Sequence, residues 1–495
     1  MLVQEKSSQM STQCQIVFNP STYPNFINFL NMYPDLAKRI LPTEMTFAVS
    51  RDMGAFEWAG NNLATVFCQP SRLLDPNMWR LIYDVLRFNA SAQKLLLELE
   101  RNGVQDEETS IGDYLEQHGY SDSFRDNYLI PMTAAIWSTP PDKCALDFPA
   151  RTLIQFMYNH HLLQITGKPS WLTLRGGSRT YVQKILSKLP ASQLHLSTPI
   201  RAAKSIPISI NGAVSGQPHQ VELTTASGET QTFDHVILAC HTDTTVCILE
   251  AGGGTTPEEA RILGAFGWNK NEAVLHCDER LMPVSRLAWS CWNYLTQSVT
   301  DAAGRYLPNV NQVSLTYWMN ELQHLPAERH GSVLVTLNPP FDPAPELTMG
   351  RYQYDHPILS LEAIRAQSEV PSIQRTRGLS YAGAWLKYGF HEDGFTSGLR
   401  AAAALLPSSS SSPSTLPFKI VDADRRPSAR VVWLARAFAA FEASGAPRVL
   451  GALVCAFLAL LRGVLGRLGL DLRHLDLDAG RAPAKAAPPR KVKQA

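Results

Sequence analysis

Several things are scarce or absent in this chain of 495 residues. Charge of one sign is scarce: the formal net charge is +1, so no whole-molecule attraction to nucleic acid is expected. Cysteine is sparse and scattered, at Cys14, Cys68, Cys144, Cys240, Cys247, Cys277, Cys291 and Cys455. None forms a CxxC and no histidine pair stands at zinc-finger spacing, so no structural metal is expected. Scattered thiols in a long chain suit a reducing, cytoplasmic compartment. The opening MLVQEKSSQMSTQCQIVFNP has no apolar h-region, and no secretory signal is read there. There is no GxGxxG either; the nearest glycine clusters, Gly252–Gly254 and Gly463/Gly466/Gly469, have the wrong spacing. No internal repeat is visible.

What is present is the composition of a soluble globular protein, 45% hydrophobic and 18% charged, long enough for two to three domains. The break comes late. Pro407, the serines Ser408 to Ser412 and Pro413 make a low-complexity linker. Before it, "MTFAVS" and "GAFEWAG" read as strands after the short amphipathic "STYPNFINFLNMY". Residues 75–160 read as mainly helical, with Leu81, Val85, Leu86 and Phe88 on one face. Helix starts are signalled by Ser110 before Asp113 and Ser121 before Phe124. "HQVELTTASGETQTFDHVILAC" reads as a hairpin turning at Ser227–Gly228. It feeds the apolar run Val236 to Cys240, a strand expected to be buried on both faces of a parallel sheet. A second β-rich stretch covers 273–337.

Four segments in order, "YLIPMTAAIWSTPP", "RGGSRTYVQKIL", "DHVILACHTD" and "YAGAWLKYGFHEDGFTSGLRAA", carry a likeness. Together, across roughly residues 14–406, the chain resembles the flavin-containing amine-oxidase-like superfamily, in the branch of predicted NAD/FAD-binding oxidoreductases. The resemblance implies an α/β fold: an incomplete Rossmann-like FAD-binding domain, an α+β substrate domain and a C-terminal helical appendage. Residues 1–75 then hold a remnant of the FAD domain and the start of the substrate domain. Residues 76–170 are its helical part, 171–260 an FAD-domain segment, 261–345 β-rich substrate domain and 346–406 the last FAD segment. The linker covers 407–428 and a basic amphipathic tail 429–495.

The family's first βαβ unit has no counterpart here, since only thirteen residues precede Cys14. That omission removes the helix N-terminus on which a pyrophosphate sits and a central strand, leaving neighbouring strand edges bare. The expectation is a start internal to a longer product, or a truncated form that holds flavin poorly.

The resemblance also implies site residues. In 378–404, a strand ending in small residues runs into a helix whose N-terminus would face a flavin. Gly383, Gly394, Gly398 and Ala401 would permit close approach, and Glu392 or Asp393 could bond the ribityl hydroxyls. Arg175, Gly176 and Gly177 would lie near the ring; alternatively they form a plain turn with Ser178 as N-cap. Trp137, Trp292, Tyr294, Tyr317 and Trp318 could line a substrate pocket or simply form core. His160 and His161 are adjacent and point apart, against metal binding. The lysine many amine oxidases hold near the flavin cannot be placed; Lys270 and Glu272 are the nearest candidates, and no catalytic residue is assigned. The function implied is FAD-dependent oxidation of a C–N or C–C bond in a small or lipid-like hydrophobic substrate. The alternative is a cofactor-free binding or membrane-associated scaffold protein.

The tail has its own character. Val431, Leu434, Phe438 and Phe441 are expected on one helical face. The second helix has an uncharged core, Val449 to Leu461, of thirteen residues, shorter than the about twenty a bilayer span needs. From Arg425 to the end there are thirteen Lys/Arg against four acids. Such a basic amphipathic pair can make peripheral contact with a membrane through 429–470, or pack on the body or on a second subunit.

Overall fold

The computed structural model describes residues 17–102, 109–139, 146–164, 169–208, 219–300, 306–309, 312–406, 408–409, 412–413, 416–424 and 431–467. Cys14, Cys144 and the basic run 481–495 lie outside the described residues. The protein is mixed α/β, and its main sheet has seven strands. In order across the sheet these are Thr348–Ile358, Gly267–His276, Leu334–Leu337, Ser314–Trp318, Trp292–Thr296, Phe47–Arg51 and Phe56–Ala59. Trp292–Thr296 and Phe47–Arg51 run parallel; every other neighbouring pair is antiparallel.

Helices Pro76–Asn102, Ile130–Trp137 and Ala150–Asn159 form the main core with this sheet. Phe88, Phe124 and Phe156 meet Val49, Trp58, Tyr294 and Leu315 there. Two of the start signals are real caps: Ser110 Oγ accepts the Asp113 N–H at 3.0 Å and Ser121 Oγ that of Phe124 at 3.2 Å. Leu86, expected on the buried face, is exposed, while Leu81 and Phe88 are buried. The buried Glu57 accepts from Ser50 Oγ at 2.7 Å and from the N–H groups of Val284 and Ser285 at 2.7 and 2.8 Å. Its charge is thus met by three donors.

The other half is thinner. The expected hairpin is there, His219–Thr225 against Thr230–Phe233, with Ile200–Pro207 as a third strand. The run after it forms only the three-residue strand Val236–Leu238, paired in parallel with Leu379–Tyr381 in a two-stranded sheet. Val236 and Ile237 are half-buried, so the expectation of burial on both faces fails: among the described residues no further strand extends this sheet.

The bare edge expected beside it is nevertheless closed. The Gln374 side chain donates Nε2 to the Tyr381 carbonyl at 2.8 Å and accepts the Tyr381 N–H on Oε1 at 3.0 Å. Those are the two bonds a neighbouring strand would make. Thr376 O accepts the Leu379 N–H at 2.8 Å. Asn25 repeats the device on Val421, with both bonds at 2.8 Å.

Past the serines, which form a two-residue pairing of Ser408–Ser409 with Ser412–Pro413, come helices Val431–Ala443 and Ala446–Arg467. The first packs on Pro76–Asn102 through Val432, Ala435 and, as expected, Phe438, while Leu434 and Phe441, expected on the same face, are exposed. Glu442 fastens it, accepting from Arg87 Nε at 2.7 Å and the Tyr83 hydroxyl at 3.1 Å. The second corrects the thirteen-residue estimate. It is 22 residues long and, by length and composition, long and apolar enough to cross a membrane, because Arg448, Arg462 and Arg467 near its ends do not interrupt its apolar centre.

Candidate functional site

A cavity of about 320 Å³ lies between the main sheet and the loop that precedes helix His391–Ala403. The sheet contributes Trp292 and Tyr317, which sit opposite each other in register with rings 5.3 Å apart and perpendicular. His356 and Pro357 come from the edge strand. The helical layer adds Trp137, Phe156 and His160. The loop closes the other side with Tyr388, Gly389, Phe390 and His391. Trp137 Nε1 donates to the Tyr388 carbonyl at 3.1 Å, tying helix to loop, while Phe156 stacks on Phe390 at 5.2 Å.

Among the described residues, no Asp, Glu, Lys or Arg lines this cavity. Its three histidines are held neutral by burial, which pushes each imidazole down to about 4. His160 Nδ1 lies 2.9 Å from the Phe156 carbonyl, and His356 Nδ1 accepts from Asn271 at 2.9 Å. His391 Nε2 shares a hydrogen bond with the Tyr181 hydroxyl. Its Nδ1 is buried without a partner, as is Trp292 Nε1. Two lining residues therefore carry unmet hydrogen-bonding capacity.

Of the five aromatic residues expected in a pocket, Trp137, Trp292 and Tyr317 come together here. Tyr294 is buried in the helix–sheet core. Trp318, next to Tyr317 and so on the opposite face of its strand, packs edge-on against Trp289 at 5.4 Å. Tyr388, Phe390, His391, His160 and His356 were missed as lining residues. His391 stands directly before Glu392 in the quoted segment, whereas His356 arrives only through strand pairing that no local pattern announces.

Glu392 and Asp393 face elsewhere. The Glu392 carboxylate accepts the N–H groups of Asn25 and Phe26, at 2.9 and 3.0 Å, in the first turn of helix Pro24–Asn31, where a negative charge suits the helix dipole. Asp393 accepts the N–H of Phe390 at 2.9 Å and of Tyr388 at 3.2 Å, and burial pushes its carboxyl up to about 7. Both border a second cavity, of about 400 Å³, between helices Leu361–Ile373 and His391–Ala403 and residues 421–423.

The glycines divide. A Cβ on Gly383 would fall 2.3 Å from Trp385 Nε1, so this glycine lets Trp385 bury. One on Gly394 would make ordinary contact with Ala384, and one on Gly398 would meet nothing within 4 Å. Gly176 and Gly177 have φ of +87° and +71°, a left-handed turn that favours glycine. Arg175 and Gly176 are exposed, and Ser178 opens helix Arg179–Leu186 without a side-chain cap bond. Lys270 is exposed and Glu272 pairs with Arg351 at 2.9 Å; neither reaches the cavity.

A flavin fits these residues at one end only. The aromatic, uncharged cavity beside the start of a 13-residue helix suits a planar ring. For the nucleotide end, no glycine-rich strand-to-helix turn is present among the described residues. At Gly252 a Cβ would fall 2.1 Å from the Ala203 carbonyl, so that cluster packs against a strand.

No protein-family model and no curated protein matches the chain. Solved structures do. A CLA-producing fatty acid isomerase from P. acnes matches at 11% identity and TM-score 0.48, over 79% of this chain and 86% of that one. Cyclohexylamine oxidase from Brevibacterium oxydans matches at 11% and 0.46, over 78% and 86%. Putrescine oxidase bound to putrescine matches at 11% and 0.47, over 79% and 86%. At such scores the likeness assigns this chain no activity.

Proposed function

We propose that the protein is an oxidoreductase that acts on a C–N or C–C bond of a small or lipid-like hydrophobic molecule, with FAD as its redox group. The observation that supports this is the cavity itself: ring-lined, without a charged side chain among its described lining, and walled on one side by the beginning of helix His391–Ala403. A bound flavin would supply hydride acceptance there. The chain's own residues would do the rest. Trp137, Phe156, Trp292 and Phe390 would exclude water and orient an apolar substrate. The partial positive charge at the helix start would favour an electron-rich edge of the ring.

A second reading is favoured by the nucleotide end: a cofactor-free binding protein, since Glu392 is engaged by helix Pro24–Asn31. Flavin content separates the two. A yellow protein that releases FAD on denaturation supports the oxidoreductase; a colourless one that FAD cannot reconstitute supports the binding protein.

The tail is proposed to rest on an anionic membrane surface from the cytoplasmic side. Val449, Leu453, Phe457 and Leu460 are exposed along one side of Ala446–Arg467, Leu460 at 69%, while Leu458 faces the body. The lysines and arginines of 425–495 complement anionic headgroups. Sedimentation with anionic but not with zwitterionic vesicles is the expected outcome; equal sedimentation with neither would remove the proposal.

A further inference from the structure

We infer that the α/β body rests on the same anionic membrane as the tail, through an apolar band of Met53, Leu63, Leu73, Trp79, Val284 and Leu287. This rests on the membrane reading of helix Ala446–Arg467 and adds a second surface to it. All six side chains are exposed, Leu63 and Val284 at 70%. They come from separate stretches of chain, yet contacts join them to one another and to the tail. Helix Ala446–Arg467 packs on the turn Pro70–Leu74. Trp79 Nε1 donates to the Leu73 carbonyl at 2.9 Å, and its ring meets that of Phe67 at 5.2 Å. Phe67 closes the short helix Leu63–Val66, which packs on Arg286–Ala288. Beside these, Met53 and Val284 line one small cavity with Arg280. Single exposed apolar residues are ordinary on a protein surface, but an adjoining set marks an interaction face.

The charge around the band selects a lipid surface. Arg80, Arg280 and Arg286 stand beside it, the last two with side chains 60% and 67% exposed. Asp84 and Asp278, which pair with Arg80 and Arg280, are buried, so the guanidinium groups carry the charge that faces water. Glu279 pairs with Arg286, and Asp52 beside Met53 is held by Ser298 at 2.6 Å. Arg286 also lies over the Trp289 ring at 3.9 Å. Arginine and tryptophan bordering apolar side chains match the boundary between headgroups and acyl chains. A band tethered next to a membrane-bound helix meets the surface at high effective concentration, so modest affinity is enough.

The test is hydrogen exchange on the purified full chain, with and without vesicles of phosphatidylserine and phosphatidylcholine. Exchange should slow in Leu63–Val66 and 284–288 as well as in Ala446–Arg467. Slowing in the tail helix alone overturns the inference and leaves the tail reading intact. Slowing in the two body segments alone removes the tail reading and leaves the band. Slowing in neither overturns both. Slowing of the body segments without vesicles, as protein concentration rises, would give the band to a second copy and overturn its membrane role. Partition of variants supplies the magnitude. Leu63→Glu/Val284→Glu/Leu287→Glu should bind these vesicles about tenfold more weakly than wild type. Leu196→Glu, 71% exposed outside the band, should bind as wild type does. Equal weakening by both variants would also overturn the inference.

Discussion

The two halves of the molecule keep their strands dry by different means. In the seven-stranded half, strands cover strands and three helices lay rings on the sheet, so the interaction energy is spread over many contacts. In the two-stranded half, Tyr381 has a strand on one side and a single glutamine amide on the other. Where strands run out, side chains take over their hydrogen bonds. The first arrangement should degrade gradually under substitution; the second depends on a few irreplaceable atoms.

Acid should separate the halves most strongly. His276, His160, His356 and His391 are each pushed down to about 4 by burial, and all lie in or against the seven-stranded half. The unfolded chain takes up these protons near pH 6.5 and the folded one only near 4, so stability is lost as pH falls through that window. Asp393, pushed up to about 7, opposes this by holding a proton in the folded state that the unfolded state has released. Burial raises the carboxyls of Asp126 and Glu392 as well, in the same opposing sense, and the four histidines against these three predict a net loss on the order of a few kcal/mol between pH 7 and 4. A melting temperature that is flat over this range would count against it.

Phe156→Ala comes next. This ring is buried against Trp137, His160 and Phe390, and its removal should cost about 3–5 kcal/mol in urea unfolding. Gln374→Ala strips both Tyr381 backbone groups of their partner, for about 2–3 kcal/mol. A loss below about 0.5 kcal/mol would mean that water replaces the amide and that the contrast between the halves is weak.

The smallest effects sharpen the contrast within one segment. Gly383→Ala should lose about 1–3 kcal/mol by displacing Trp385. Gly398→Ala, in open space on helix His391–Ala403, should gain up to about 1 kcal/mol from helix propensity alone. Thermal melts of the two variants should move in opposite directions.

Local patterns carried much of this in the sequence. "MTFAVS" and "GAFEWAG" form strands as read, the hairpin turns at Ser227–Gly228 where alternation and turn residues put it, and Ser110 and Ser121 cap as their spacing predicts. Trp137, Trp292 and Tyr317 were legible as rings with a choice of core or pocket. That choice is made over long separations: Trp137 bonds the Tyr388 carbonyl 251 positions away. Strand alternation sent Trp318 to the opposite face, and depth beneath the helices took Tyr294 into the core. Gln374 and Glu392 gave no sign of their tasks, since a side chain that bonds a distant backbone leaves no periodic trace.

The amide of Asn25 has a consequence for a severed chain. It grips Val421 by both backbone groups, and the neighbouring Asp422 and Asp424 are held by Arg400 at 2.6 Å and Lys387 at 3.1 Å. Further along, Glu442 is anchored to Arg87. A protease that cuts between Leu406 and Leu416 should therefore yield two fragments that elute as one species and part only in denaturant. The serine-rich joint can be lost as a covalent link while the tail stays docked.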